Sequence, residues 1–192
     1  MTEPKLHPEQ NYVLKIAAEI GVTPNLLPHT RPTISCAEKL GLLKEENPNE
    51  FSTWTLDRIV KALYFSRDSS PLIGIITPEL EEIPDPKEIF SHLLWMPKSV
   101  AERYWPKPKH VPHGMAIGTC TPFPLSSSIG KEISGLIFIE HKPIMDKDVN
   151  ISVGGTDKKS FLTSMHIPYG AIYEILRRQF GEYSIRLYRF NS

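Results

Sequence analysis

Apolar residues recur at helical spacing in several stretches of the chain and alternate or run together in others. Over residues 9–20, Tyr12, Ile16 and Ile20 share one face with Val13 and Ala17 beside them. That spacing predicts a helix, and Gly21 supplies its stop. Val22 to Pro28 reads as a short extended piece interrupted by Pro24. Ile34, Ala37, Leu40 and Leu43 predict a second helix over Thr33 to Leu43, with Ser35 and Cys36 inside it. Between Trp54 and Phe65 the apolar, β-prone Val60, Leu63 and Phe65 surround Lys61. Ser66 to Pro71 reads as a turn and Leu72 to Thr77 as a strand of the buried type, so the two segments form a hairpin.

The pattern then turns helical but broken. Lys87 to Trp95 carries Ile89, Phe90, Leu93 and Leu94, and Ser99 to Trp105 carries Val100, Ala101 and Tyr104. Pro106, Pro108 and Pro112 impose an extended approach to the segment His113 to Pro124. Gly135 to Glu140, within the apolar run Ile133 to Ile139, predicts a strand. Val149 to Val153 predicts another, leading into Gly154 and Gly155. Phe161 to Met165 reads as a further short strand. Ile172, Ile175, Leu176 and Phe180 make Tyr169 to Phe180 an amphipathic helix stopped by Gly181, and Tyr183 to Phe190 alternates as a last strand. No internal repeat or low-complexity tract interrupts the series.

Composition narrows the classes. A length of 192 residues suits one domain with a full core. Lys plus Arg and Asp plus Glu are each 22, a net charge of zero, which argues against a broad grip on duplex DNA and leaves room for a small basic patch. The 18 prolines, interleaved with aromatic residues, predict long ordered loops. Cys36 and Cys120 match no zinc or redox spacing. The start of the chain has no signal-type apolar core, and no apolar run nears the ~20 residues that span a bilayer. A cytoplasmic protein with no membrane partner is therefore expected.

Candidate chemistry concentrates in two places. Gly114, Gly118 and Pro122 stand four residues apart ahead of the Ile133 strand. Glycine lets a backbone approach a ligand and proline stiffens the residues after it, so such a loop can aim N–H groups at an oxyanion or carboxylate; it also serves as plain turn punctuation. Lys61, flanked by Val60 and Ala62, either faces an interior site or lies on an outer strand face and snorkels to water. Cys36, a single thiol without an acid or base neighbour in sequence, reads as packing material. His110 and His113 lack a third ligand, and no metal site or cofactor is expected. The Gly154-Gly155 pair lacks a phosphate-cradling spacing.

The order of these parts resembles the YbaK/ProX superfamily, the aminoacyl-tRNA deacylases related to the editing insertion of bacterial prolyl-tRNA synthetase. The resemblance runs from about residue 12 to 180. It rests on two helices, the strand Val60-Lys61-Ala62-Leu63, a helical spacer, Gly114-x-x-x-Gly118-x-x-x-Pro122-Phe123, a strand, and Val153-Gly154-Gly155. It implies an α+β fold, with a mainly antiparallel mixed sheet closed towards a barrel and helices packed outside. Residues 1–192 are then expected to form a single editing domain.

The resemblance also implies roles. Lys61 would contact the terminal adenosine of tRNA and hold the reactive ester. Gly118, Thr119, Cys120, Thr121 and Pro122 would surround the ester carbonyl with backbone amides. Ala62, Gly114, Phe123, Gly154, Gly155 and Ser160 would wall the amino-acid pocket. An aminoacyl ester is already activated, so positioning it, admitting a water or the ribose hydroxyl and stabilising the oxyanion suffice without a triad or metal. Lys98, Arg103, Lys107, Lys109, Lys158 and Lys159 are candidates for the tRNA acceptor end, or ordinary solvated surface.

Two departures bear on the substrate: Ala62 stands where the family often has Thr or Asn, and Ser160 where the prolyl synthetase insertion has a histidine. The implied activity is hydrolysis of a small amino acid such as alanine or cysteine from mischarged tRNA, tRNA-Pro foremost. The alternative is a catalytically silent module that binds tRNA or a synthetase, including the appended N-terminal domain of a prolyl-tRNA synthetase. A small-molecule enzyme on an unrelated α+β fold is a third reading.

Overall fold

The computed structural model describes residues 10–67, 71–80, 85–106 and 111–189, the side chains of Trp105 and Pro106 excepted. Period-two patterning on the central strands explains why they sort two cores. In β3 (Leu72–Pro78), Leu72 and Ile76 face one way and Ile73 and Ile75 the other. In β5 (Ile133–Glu140), Leu136 and Phe138 oppose Ile137 and Ile139 in the same manner. A strand buried on both faces reads as a continuous apolar run.

β3 and β5 lie inside a five-stranded sheet of order β4-β2-β3-β5-β8, with β2 (Val60–Ser66), β4 (Trp105–Pro106) and β8 (Ile185–Arg189). β4–β2 and β2–β3 are antiparallel, which confirms the hairpin; β3–β5 and β5–β8 are parallel. A second sheet of order β1-β7-β6 is antiparallel throughout, from β1 (Asn25–Pro28), β7 (Thr163–Pro168) and β6 (Asp148–Ser152).

The two sheets share one core. Val60, Ala62, Tyr64, Leu136 and Phe138 from the larger meet Val149, Ile151, Met165 and Ile167 from the smaller. Helices α1 (Gln10–Glu19) and α7 (Tyr169–Phe180) complete it with Val13, Ile16, Ile172 and Leu176. The far face of the large sheet is covered by α4 (Pro86–Leu93) and α5 (Lys98–Ala101) through Ile89, Phe90 and Ala101. A third cluster, Leu43, Phe51, Trp54 and Ile59, is built from α2 (Cys36–Glu46), α3 (Pro48–Phe51) and the turn before β2.

The α+β class and the mainly antiparallel pairing hold. The closed barrel does not: among the described residues the strands form two open sheets joined by one isolated parallel bridge, Ile59 to Asn150. Prolines end β1, β3, β4 and β7, and each removes a ladder donor where pairing would have to continue.

Three local expectations need correction, and one element is unexpected. The second helix begins at Cys36 because Ser35 caps it: the Glu38 N–H donates to Ser35 Oγ at 3.1 Å, while Glu38 Oε2 accepts from the Ile34 N–H at 2.8 Å. The Ser35 hydroxyl thus caps the helix, and Glu38 reaches back past it to the amide of the preceding residue. Phe161 is not in a strand. It ends the short helix α6 (Lys158–Phe161), capped by Asp157, and the strand starts at Thr163. The helix expected over Ser99 to Trp105 covers only Lys98–Ala101, and Trp105 joins the sheet edge. Apolar spacing gives no sign of α3, a single turn opened by Pro48.

One glycine fixes the sheet spacing. A Cβ on Gly74 would stand 2.6 Å from Leu136 Cδ2 and 2.9 Å from Tyr64 Cε1, on side chains packed in the core. Gly74→Ala should therefore destabilise the protein by ~1–3 kcal/mol through overpacking, read as a lowered urea midpoint with unchanged m-value.

Candidate functional site

Where the sheets part, a cavity of about 590 Å³ opens. Its walls come from β2 (Val60 to Tyr64), from the end of β3 (Glu79), from β6 (Asn150, Ser152), from the proline–glycine segment (Val111, Ile117, Gly118, Cys120) and from the start of α2 (Thr33 to Cys36, Lys39). Lys61 and Gly118, 57 residues apart by their numbers, thus line the same space. Lys61 is half-buried and ion-pairs with Glu79 inside it. The pairing is a product of the register. Lys61 opposes Thr77, and Glu79 lies two residues beyond on the same face.

The glycine loop is held by buried hydroxyls. Thr119 is fully buried, and its Oγ1 accepts from the Ala116 N–H at 3.0 Å and reaches the Gly155 carbonyl at 2.6 Å. The Gly155 N–H donates to the Gly114 carbonyl at 2.8 Å, so the loop and the Gly154-Gly155 turn are tied together. Gly114, Gly118, Gly154 and Gly155 all have positive φ, 77° to 95°, where other residues are strained. Tyr64 OH donates to the Thr121 carbonyl at 3.2 Å and anchors the loop to β2. Among the described residues, the N–H groups of Gly118 and Cys120 donate to no protein acceptor.

Of the residues expected at the site, Lys61, Ala62, Gly118 and Cys120 line the cavity. Thr121, Pro122 and Phe123 are buried behind the loop, and Phe123 belongs to the main core, so its side chain supports the wall from inside. Ser160 is buried with an unpartnered Oγ beneath Gly155, where a Cβ would stand 2.1 Å away. Lys158 and Lys159 are exposed on α6, whose Phe161 ring packs below Gly118. Lys98 lies elsewhere, on a surface cleft between α4 and α5. Arg103 is exposed just after α5. Lys107, Lys109 and His110 lie outside the described residues.

Sequence reasoning missed Glu79, Lys39, Cys36, Asn150 and Tyr64 in the wall. Burial, then Glu79 beside it, pushes the Cys36 thiol up to about 11, and burial pushes Cys120 to about 11. Both are protonated near neutral pH and unsuited to nucleophilic attack. Burial lowers Lys39 to about 8, partly offset by Glu46.

Under the cavity runs a polar chain that no local signal announced. His29 Nδ1 lies 3.0 Å from Glu46 Oε2, His29 Nε2 lies 2.6 Å from Ser164 Oγ, and Asn150 Nδ2 donates to Ser164 Oγ at 2.6 Å. The donors and acceptors match if His29 carries its proton on Nδ1 and Ser164 donates to Nε2. Burial would raise the Glu46 carboxyl, but hydrogen bonds from the Thr30 hydroxyl and amide and from His29 outweigh it and hold it low. The order is that of a serine–histidine–carboxylate relay. Ser164, however, is 1 % exposed and sits inside the small sheet, out of reach of an ester.

No family model matches the chain, and no curated protein does. A solved crystal structure of a hypothetical protein, APE2540, is similar to it, with a TM-score of 0.53 at 15% identity over 90% of this chain and 95% of that one. The likeness is one of fold alone. Among the described residues no group of three or more His, Cys, Asp or Glu is placed to hold a metal ion, and no helix is long and apolar enough to cross a membrane.

The histidine beside this chain gives a stability test. Burial, helped by the charges of His29, Arg58 and Lys39, pushes His166 down to about 4. Its ring packs on Phe51 and Trp54 with Nε2 unpartnered. A depressed histidine is neutral when folded, while the unfolded chain takes up a proton below about pH 6.5. Stability should therefore fall as pH drops from about 6.5 to 4, by on the order of 3 kcal/mol from this group. His166→Phe should flatten that slope in urea titrations compared across the window.

Proposed function

We propose that this chain is an aminoacyl-tRNA deacylase of the YbaK/ProX kind, acting in the cytoplasm on small amino acids mischarged onto tRNA, tRNA-Pro foremost. One observation carries the reading: Lys61 and the donor-bearing residues Gly118 and Cys120 line one cavity of nucleotide size. In this mechanism Lys61 holds the terminal adenosine so that the ester carbonyl lies against the amides of Gly118 and Cys120. A water, positioned by the adjacent ribose hydroxyl, attacks the carbonyl carbon and gives up its proton to solvent. The amides take the developing negative charge on oxygen. Collapse expels the ribose 3′-oxygen, which is protonated from solvent, and releases the amino acid.

Misplacing the ester by losing a positioning contact costs roughly 10²-fold in rate. Lys61→Ala should therefore abolish most deacylation of alanyl- or cysteinyl-tRNA while the far-ultraviolet circular dichroism and melting profile stay close to the parent's. Equal hydrolysis by variant and parent refutes the assignment.

The Lys61–Glu79 pair favours a second reading, a module that binds tRNA or a synthetase without turnover, since the ammonium is already engaged. A panel of mischarged tRNAs separates the two. No hydrolysis above buffer, with acceptor-stem RNA still bound, selects the binding module.

A further inference from the structure

Counting charges around the cavity gives an imbalance that the ester mechanism does not use. The charged wall residues are Lys39, Lys61 and Glu79: two ammonium groups against one carboxylate. Glu79 is paired with Lys61. Lys39 makes no ion pair and no side-chain hydrogen bond among the described residues, although it is half-buried. Glu46 acts on it only from a distance, because that carboxylate is taken up by Thr30 and His29. A desolvated ammonium without a contacting counter-charge is costly to hold, and its position is explained if a ligand supplies the anion.

The rest of the wall describes that ligand. Ile34 and Ile117 line the cavity yet are 91 % and 62 % exposed, so they stand at its rim as exposed apolar surface. Ile59, Val60 and Val111 continue the apolar wall inward, and Thr33 and Ser35 add hydroxyls on the approach to α2. A cavity of about 590 Å³ is too large for a lone carboxylate or inorganic ion. An anionic group joined to a flat, largely apolar ring system fits its size, charge and lining.

We propose that the cavity is a nucleotide-phosphate site in which Lys39 is the charge anchor, Lys61 and Glu79 form a neutral pair beside it, and Ile34 and Ile117 pack against the base. The lowered Lys39 value, about 8, leaves the side chain mostly protonated at neutral pH and able to serve. This deepens the reading above by naming what holds the ligand's charge. It rests on that reading only for the nucleotide being the end of an RNA, and it stands without hydrolysis.

The test reads binding, not turnover. The full chain, labelled on lysine side chains, is titrated with inorganic phosphate, AMP and the dinucleotide CpA, following the Lys39 resonance by NMR and affinity by calorimetry. A bound phosphate should raise the Lys39 titration midpoint towards that of an ordinary lysine. Lys39→Met should weaken AMP or CpA binding by roughly tenfold or more, and Lys61→Met by less. Preference for CpA assigns a phosphodiester of an RNA end, and preference for AMP assigns a free nucleotide; either supports the site. A Lys39 midpoint unmoved at saturating AMP and CpA overturns it, as does parent-like affinity in Lys39→Met. The midpoint is measured on the unmutated protein, so the result stands even where the variant fails to fold. If CpA binds through Lys39 and no mischarged tRNA is hydrolysed, the deacylase reading fails while the phosphate site survives.

Discussion

Among the described residues a single backbone bridge, Ile59 to Asn150, joins the two sheets, whose remaining contact is made by side chains of the common core. The outer edge of β2 is shared out: β4 pairs at Phe65 and Ser66, and the backbone bridge to β6 falls just ahead of Val60. The stretch between, Lys61 to Tyr64, pairs with no strand on that side among the described residues. Backbone and side chains along it are left to face whatever the loops and α2 bring up. The cavity lies beside that bridge, along the part of β2 whose edge is left unpaired.

The loops that close the space are restrained by hydrogen bonds more than by regular structure. Thr119 joins the glycine loop to the Gly154-Gly155 turn, and Tyr64 ties the same loop to the central strand. Behind them, Phe123 sits in the common core. This gives the Gly118 backbone a rigid mounting with its own donors unspent, which is what stabilising a developing charge requires. The buried chain from Glu46 through His29 and Ser164 to Asn150 plays the same part on the opposite wall, orienting an amide at the cavity surface.

How much of this is legible in the sequence depends on the range of the signal. Helices α1 and α7 and the hairpin of β2 and β3 are readable because their apolar spacing is local and strong. The Lys61–Glu79 pair is also within reach: once the hairpin is drawn with Lys61 opposite Thr77, alternation puts Glu79 on the same face. The start of α2 is displaced because apolar spacing outvotes the Ser35 N-cap. Phe161 reads as strand because a β-prone residue beside Leu162 and Thr163 looks extended, whereas Asp157 caps a helical turn there. The polar chain is out of reach, since His29 and Ser164 are 135 residues apart and meet only when β1 pairs with β7. Lys39 is hidden for a similar reason: on a helix surface it looks solvated until β2 and β6 are assembled as the facing wall.

The open sheets raise the matter of self-recognition between copies. An unpaired strand edge is a template on which a second chain can build, and long flat edges seed fibres. Here the edge strand β1 has four residues and ends in Pro28, while β4 has two and ends in Pro106. β8 carries Arg186 and Arg189 along its five residues. Brevity and missing donors blunt β1 and β4, and arginine side chains line β8, so three borders of the described sheets carry features that discourage strand-by-strand pairing.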